Sequence, residues 1–146
     1  MIRPLLLIVC AFALAAGASA PAQSAAKTYK GLELSVAGVT RATNVSLSDC
    51  PPGANTQRGV IKPGDTTEFA SVKVDFKVLP AFKPGMFAKP VLYDDAGKAY
   101  NTAQAFGEIG AGSSFSCTFS FRVPKGAKVT KFAIDTASFD LATLPQ

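Results

Sequence analysis

The chain of 146 residues has no histidine and no tryptophan, three cysteines and two methionines. Each shortage excludes something. Without histidine, the commonest general base and metal ligand near neutral pH is gone, and so is a Ser-His-Asp triad of the usual kind. Copper handling by Met and His clusters is excluded as well, because Met86 is the one methionine after Met1. The lack of tryptophan weakens the case for sugar stacking. No Gly-x-Ser-x-Gly elbow occurs. Ser24-Ala25-Ala26-Lys27 has Ser-x-x-Lys spacing but lacks the companion motifs of β-lactam-recognising enzymes. Asp94-Asp95-Ala96-Gly97 is no calcium loop, since Ala96 and Lys98 stand where acidic or amide ligands are needed. The expectation is a non-enzymatic protein with no catalytic residues, no metal and no cofactor.

Long apolar runs are equally scarce. The one present, Leu5 to Ala16, follows Arg3 and leads into small residues up to Ala22. It is shorter than the roughly 20 residues of a membrane-spanning helix. Residues 1–22 therefore read as a secretory signal, cut after Ala20-Pro21-Ala22 or, alternatively, after Ala18. Val9 before Cys10 is not the small residue of a lipoprotein signal, so Cys10 is expected to leave with the signal. Cys50 and Cys117 remain. They predict one disulfide and an oxidising compartment, hence a periplasmic or secreted location in a bacterium. With no Cys-x-x-Cys spacing, the bond is expected to be a staple. The formal net charge of +5 falls by one when Arg3 is removed. That mild excess suits anionic envelope polymers or lipids.

Gln23 to Lys30 is small and polar, and is expected to be a flexible linker (residues 23–30) before one domain over residues 31–146. No sustained helical period follows. Short alternating runs are broken instead by Gly, Pro and Asp clusters, which is the pattern of an all-β fold. Leu32, Leu34 and Val36 alternate with Glu33 and Ser35. Val45 and Leu47 are expected to continue that edge after a bend at Gly38. The segment Ser48 to Thr66 reads as a long loop that Cys50 tethers. From Phe69 to Leu79, Val72, Val74, Phe76 and Val78 face one way, and Lys73, Asp75 and Lys77 the other. A strand from about Phe87 to Tyr93 turns at Asp94-Asp95-Ala96-Gly97 and returns over Lys98 to Thr102. From Phe115 to Val123, Phe115, Cys117, Phe119 and Phe121 share the core face. Val129 to Ile134 closes the set. About seven strands in two antiparallel sheets, packed face to face, would bury these stripes.

Three stretches carry a resemblance. They are Val72 to Val78, then Leu92-Tyr93-Asp94-Asp95-Ala96-Gly97-Lys98-Ala99-Tyr100, then Gly110-Ala111-Gly112-Ser113 with Phe119 to Gly126. Their order resembles a large family of exported bacterial immunoglobulin-like domains of unknown function, many of them lipoproteins. It is also similar to the fold of small secreted mycobacterial immunogenic proteins. The match spans about residues 31 to 135. Its most specific parts are the Asp-x-x-Gly-Lys-x-Tyr turn and the Phe-x-Val-Pro ending. The resemblance implies an immunoglobulin-like two-sheet antiparallel β-sandwich and carries no catalytic role. The chain departs from the family in lacking the lipobox cysteine and in placing Cys50 in its long loop, which implies a disulfide particular to a subgroup.

For recognition, the segment Ala81 to Lys89 stands out. It sets Phe82, Met86 and Phe87 beside Lys83 and Lys89 in a Pro/Gly-rich connection. An exposed tip would make it a contact for a partner or a membrane surface. Otherwise Phe82 and Phe87 fold back as lids on the core. Nucleic acid is not an expected partner, because the lysine groups (Lys73 and Lys77; Lys125, Lys128 and Lys131) have no exposed aromatics among them. The leading expectation is a binding module of the envelope, with an envelope protein or surface polymer as partner. An inhibitor or chaperone of an envelope enzyme such as a protease or lysozyme is the alternative. A small-ligand carrier is the third possibility.

Overall fold

The computed structural model describes residues 22–52, 57–104, 106–110 and 114–146. The signal expected over residues 1–22 therefore lies outside the described residues except for Ala22, as do Gly53 and residues 111–113. The described chain is all β, with two antiparallel four-stranded sheets and one hairpin.

The first sheet has the order β1 (Lys27–Tyr29), β2 (Leu32–Ala42), β5 (Thr67–Val78), β8 (Ser114–Pro124). The second runs β10 (Ala137–Asp140), β9 (Val129–Ile134), β6 (Val91–Asp94), β7 (Ala99–Asn101). Strands β3 (Val45–Ser48) and β4 (Gln57–Ile61) pair with each other as a separate two-stranded hairpin. The two-residue period places the side chains. Leu32, Leu34 and Val36 of β2, Val72, Val74 and Phe76 of β5, and Cys117, Phe119, Phe121 and Val123 of β8 are all buried. From the second sheet, Leu92, Phe132, Ile134 and Phe139 meet them in a single core. The register of β2 on β5 shifts between Val36 and Gly38, which returns Val39 to the buried side.

Several expectations need correction. Ten strands are described in place of about seven. Residues 23–30 are not a bare linker: they hold β1, and Ser24 bonds both the carbonyl and the amide of Val36. A strand of three residues is too short to show any period in the sequence. Ser48 to Thr66 is not wholly loop either, since it contains β4. Val45 and Leu47 lie on β3 of that hairpin and do not extend β2. The strand expected from Phe87 begins only at Val91. By contrast, β5, β8 and β9 lie within one or two residues of their expected spans.

Cys50 and Cys117 form a disulfide, with Cα atoms 5.6 Å apart and a sequence separation of 67. Closing a loop of that length removes chain entropy worth about 4 kcal/mol from the unfolded state. Beyond the bond, the chain between β7 and β8 covers the free edge of β8. Thr102 bridges Phe121, Phe106 bridges Cys50, and the Gly107 amide donates to the Cys50 carbonyl at 2.6 Å. Gln104 is 2 % exposed and completes the seal. Its Nε2 donates to the Ser48 and Thr118 carbonyls, both at 2.7 Å. Its Oε1 accepts from the Ser120 amide at 2.7 Å and the Thr102 hydroxyl at 3.3 Å. Each hydrogen-bonding position of the amide is used, as a buried amide requires.

Gln104→Leu keeps the volume but strands the backbone groups of Ser48, Thr118 and Ser120. We expect a loss of about 2–4 kcal/mol, since each buried group left unpaired costs roughly 1–3 kcal/mol. It should be read as a lower urea midpoint with an unchanged slope. A midpoint equal to that of the parent would refute the role given to this amide.

Candidate functional site

The candidate contact loop, residues 80–90, leaves β5 at the end of the sandwich where β1 turns into β2. That turn is made by Lys30 and Gly31, at φ of 48° and 76°. A Cβ on Gly31 would lie 2.5 Å from the Phe82 Cα, so the turn and the root of the loop fit only with glycine there. The Leu79 amide donates to the Gly31 carbonyl at 3.0 Å, and the Phe82 amide to the Leu79 carbonyl at 2.9 Å.

From that root, the aromatic rings run inward. Phe82 stacks on Phe87 with centroids 6.1 Å apart. Phe87 meets the edge of Tyr29 at 6.1 Å and Phe106 at 5.5 Å. Phe106 in turn reaches Phe119, in the core, at 5.6 Å. Both Phe82 and Phe87 are therefore half-buried lids on the core. Met86 is not. It is 90 % exposed, and among the described residues it is the large hydrophobic side chain left in solvent. Lys83 and Lys89 are exposed. Lys30 joins them: its Nζ donates to the Met86 carbonyl at 2.7 Å and lies 5.8 Å from the Phe87 ring centroid. A cleft of about 280 Å³ opens beside the tip, lined by Gly85, Met86, Phe87, Lys89, Phe106 and Gly107.

The five residues singled out in the sequence thus divide. Phe82 and Phe87 are scaffold, and Met86, Lys83 and Lys89 are surface. Lys30 and Phe106 were missed. The only sequence signal for Lys30 was its place before Gly31, a turn pair. Phe106 reaches the site because the Cys50 segment pins it there, and no local pattern records that.

Three other charged side chains find partners within the fold. At the far end of β2, Arg41 donates to Glu68 at 3.0 Å and to the Ala127 carbonyl at 2.6 Å, beside a shallow hollow of about 480 Å³. Lys77 pairs with Glu33 at 3.8 Å, and Lys131 lies 4.0 Å over the Tyr93 ring. The Asp94 turn has a structural role. Asp94 Oδ2 accepts from the Tyr100 hydroxyl at 2.8 Å, and Oδ1 accepts from the Lys98 amide at 2.8 Å and the Ala96 amide at 3.1 Å. Gly97 takes φ of 79°. The Asp-x-x-Gly-Lys-x-Tyr spacing is the covalent form of this one knot.

The fold defines the protein as a two-sheet β-sandwich, and solved structures share it. A conserved hypothetical protein from Bacillus anthracis superposes with a TM-score of 0.52 at 15% identity, over 82% of this chain and 96% of its own. An uncharacterized β-sandwich protein from Clostridium difficile 630 gives 0.50 at 10% identity, over 79% and 87%. At such identities the likeness is one of fold alone. No protein-family model matches the chain, and no curated protein sequence matches it.

Two outcomes follow from this geometry. Gly31→Ala strains a left-handed position and drives its Cβ into the loop root. We expect a cost of about 1–3 kcal/mol and altered amide shifts in Phe82 to Lys89, read by denaturant titration and by NMR. Unchanged shifts in that loop would show that the turn does not seat it. The second concerns pH. The Tyr100 hydroxyl bond, with the Lys98 and Ala96 amides, holds the Asp94 carboxyl below the usual range, against an opposing effect of burial. A depressed folded value means stability that is full above the unfolded value of about 3.9 and fades as pH falls through the folded one. The stability difference between the parent and Asp94→Asn should therefore shrink on acidification below about pH 4. A difference independent of pH would contradict this.

Proposed function

We propose that the protein is an exported, non-enzymatic binding module of the bacterial envelope, and that the tip at Lys83, Met86 and Lys89 is its contact surface. One observation carries the reading. Met86 is held in solvent by a loop whose neighbouring rings are packed into the core, so folding has no use for its exposure. The disulfide supports export into an oxidising compartment, and among the described residues no helix is long and apolar enough to cross a membrane.

The strand order supports an immunoglobulin-like classification of the sandwich. β2-β5-β8 against β10-β9-β6-β7 corresponds to strands A-B-E against G-F-C-C′ of that fold. The alternative, an inhibitor or chaperone of an envelope enzyme, draws on rigid tethered loops, which lower the ordering cost of binding. An inhibitory loop built around Cys50 is disfavoured, because Cys50 is fully buried.

Crosslinked capture from bacterial envelope extract with the oxidised protein tests the proposal. We expect one envelope component (protein, polymer or lipid) to be retained, and at least about ten-fold less of it on Met86→Asp, the scale of losing one buried apolar side chain. Retention indifferent to that substitution would remove the loop from the interface. Turnover of an envelope substrate by the purified protein would sink the non-enzymatic reading.

A further inference from the structure

We infer that the Met86 tip, with Lys30, Lys83 and Lys89 around it, docks on an anionic phospholipid surface. The inference rests on reading this loop as the contact surface and names what the surface meets.

Shape comes first. Met86 follows Pro84-Gly85 and projects at 90 % exposure, while Phe82 and Phe87 behind it are half-buried. A single flexible apolar side chain at a convex tip matches a fluid layer that deforms around it. A protein groove rewards several anchors set at fixed spacing. The depth available is one side chain, as in shallow interfacial insertion.

Charge comes second. Lys83 and Lys89 are exposed on the loop itself. Lys30 is fixed against the tip by its 2.7 Å bond to the Met86 carbonyl. Among the described residues, the acidic groups on the segments adjoining this end are Glu108, next to Gly107 of the cleft, Asp49, next to the Cys50 that bridges Phe106, and Glu33, which is paired with Lys77 at 3.8 Å, against the three lysines at the tip. The tip is therefore net cationic around an apolar point, and anionic headgroups attract such a point. One lysine stands at the rim of the cleft floored by Phe87 and Phe106. A headgroup phosphate on Lys89, with its first methylenes over the two rings, fits both chemistries of that cleft.

Rigidity comes third. The Phe82–Phe87 stack and the Gly31 seat hold the root of the loop, so little ordering is needed on binding.

The test is co-sedimentation of the oxidised protein with vesicles of phosphatidylcholine alone and of phosphatidylcholine mixed with phosphatidylglycerol. Binding to the anionic vesicles should exceed that to neutral ones by about ten-fold or more, and should fall as salt rises. Met86→Asp should lower it at least about ten-fold, and the pair Lys83→Gln with Lys89→Gln by a similar factor. Because these side chains are exposed, the melting temperature of each variant should match the parent. Absence of binding to anionic vesicles overturns the inference. Equal binding to neutral vesicles, or binding untouched by Met86→Asp, does the same. If the capture experiment retains a protein through Met86 while vesicles are ignored, the lipid inference falls and the proposed function stands.

Discussion

Strand β8 carries two demands that the rest of the structure has to meet together. Its inward face is a run of Cys117, Phe119, Phe121 and Val123, all buried, and needs a second sheet above it. Its outer edge is a row of backbone donors and acceptors and needs partners, because an open edge invites pairing with another chain. The second sheet meets the first demand through Leu92, Phe132 and Ile134. The chain between β7 and β8 meets the other, through Gln104 and Thr102, while the disulfide brings Cys50 onto the same strand. The opposite edge of that sheet is managed in a similar way. Ser24 bonds Val36, and the Pro145 carbonyl accepts from the Val39 amide at 3.0 Å.

Edge closure also builds the candidate site. Phe106 stands beside Phe87 because its segment follows Cys50, bound through the Gly107 amide. The Cys50 segment and residues 80–90 thus meet across one aromatic ring. Packing at that meeting uses Phe82, Phe87, Phe106 and Tyr29, and it leaves Met86 and the lysines outside. The surface proposed to bind is what remains after the core has taken every ring it can reach.

Much of the fold was legible in the chain. Strands β5 and β8 each alternate apolar and polar residues for six or more positions, enough to display a period of two. The Asp94 turn was legible because the bonds of its carboxylate join residues no more than six apart. What escaped was short or non-local. Strand β1 spans three residues, and β4 lies in a stretch rich in Gly and Pro. Gln104 looked like an ordinary polar residue, since its partners Ser48 and Thr118 are 56 and 14 positions away.

The sequence by itself determined which side chains of β2, β5 and β8 face inward, that Cys50 and Cys117 would pair, and that the chemistry of histidine is absent. These follow from alternation, from counting and from composition, which are properties of the chain read in order. The tertiary structure decided which strand edges are covered and by what. It also decided that Phe82 and Phe87 serve the core, and that Met86, one residue from Phe87, faces water. Neighbours in sequence part company there because burial is settled by segments that meet only after folding. Phe87 packs on Phe82, Tyr29 and Phe106, while Met86 beside it stays 90 % exposed.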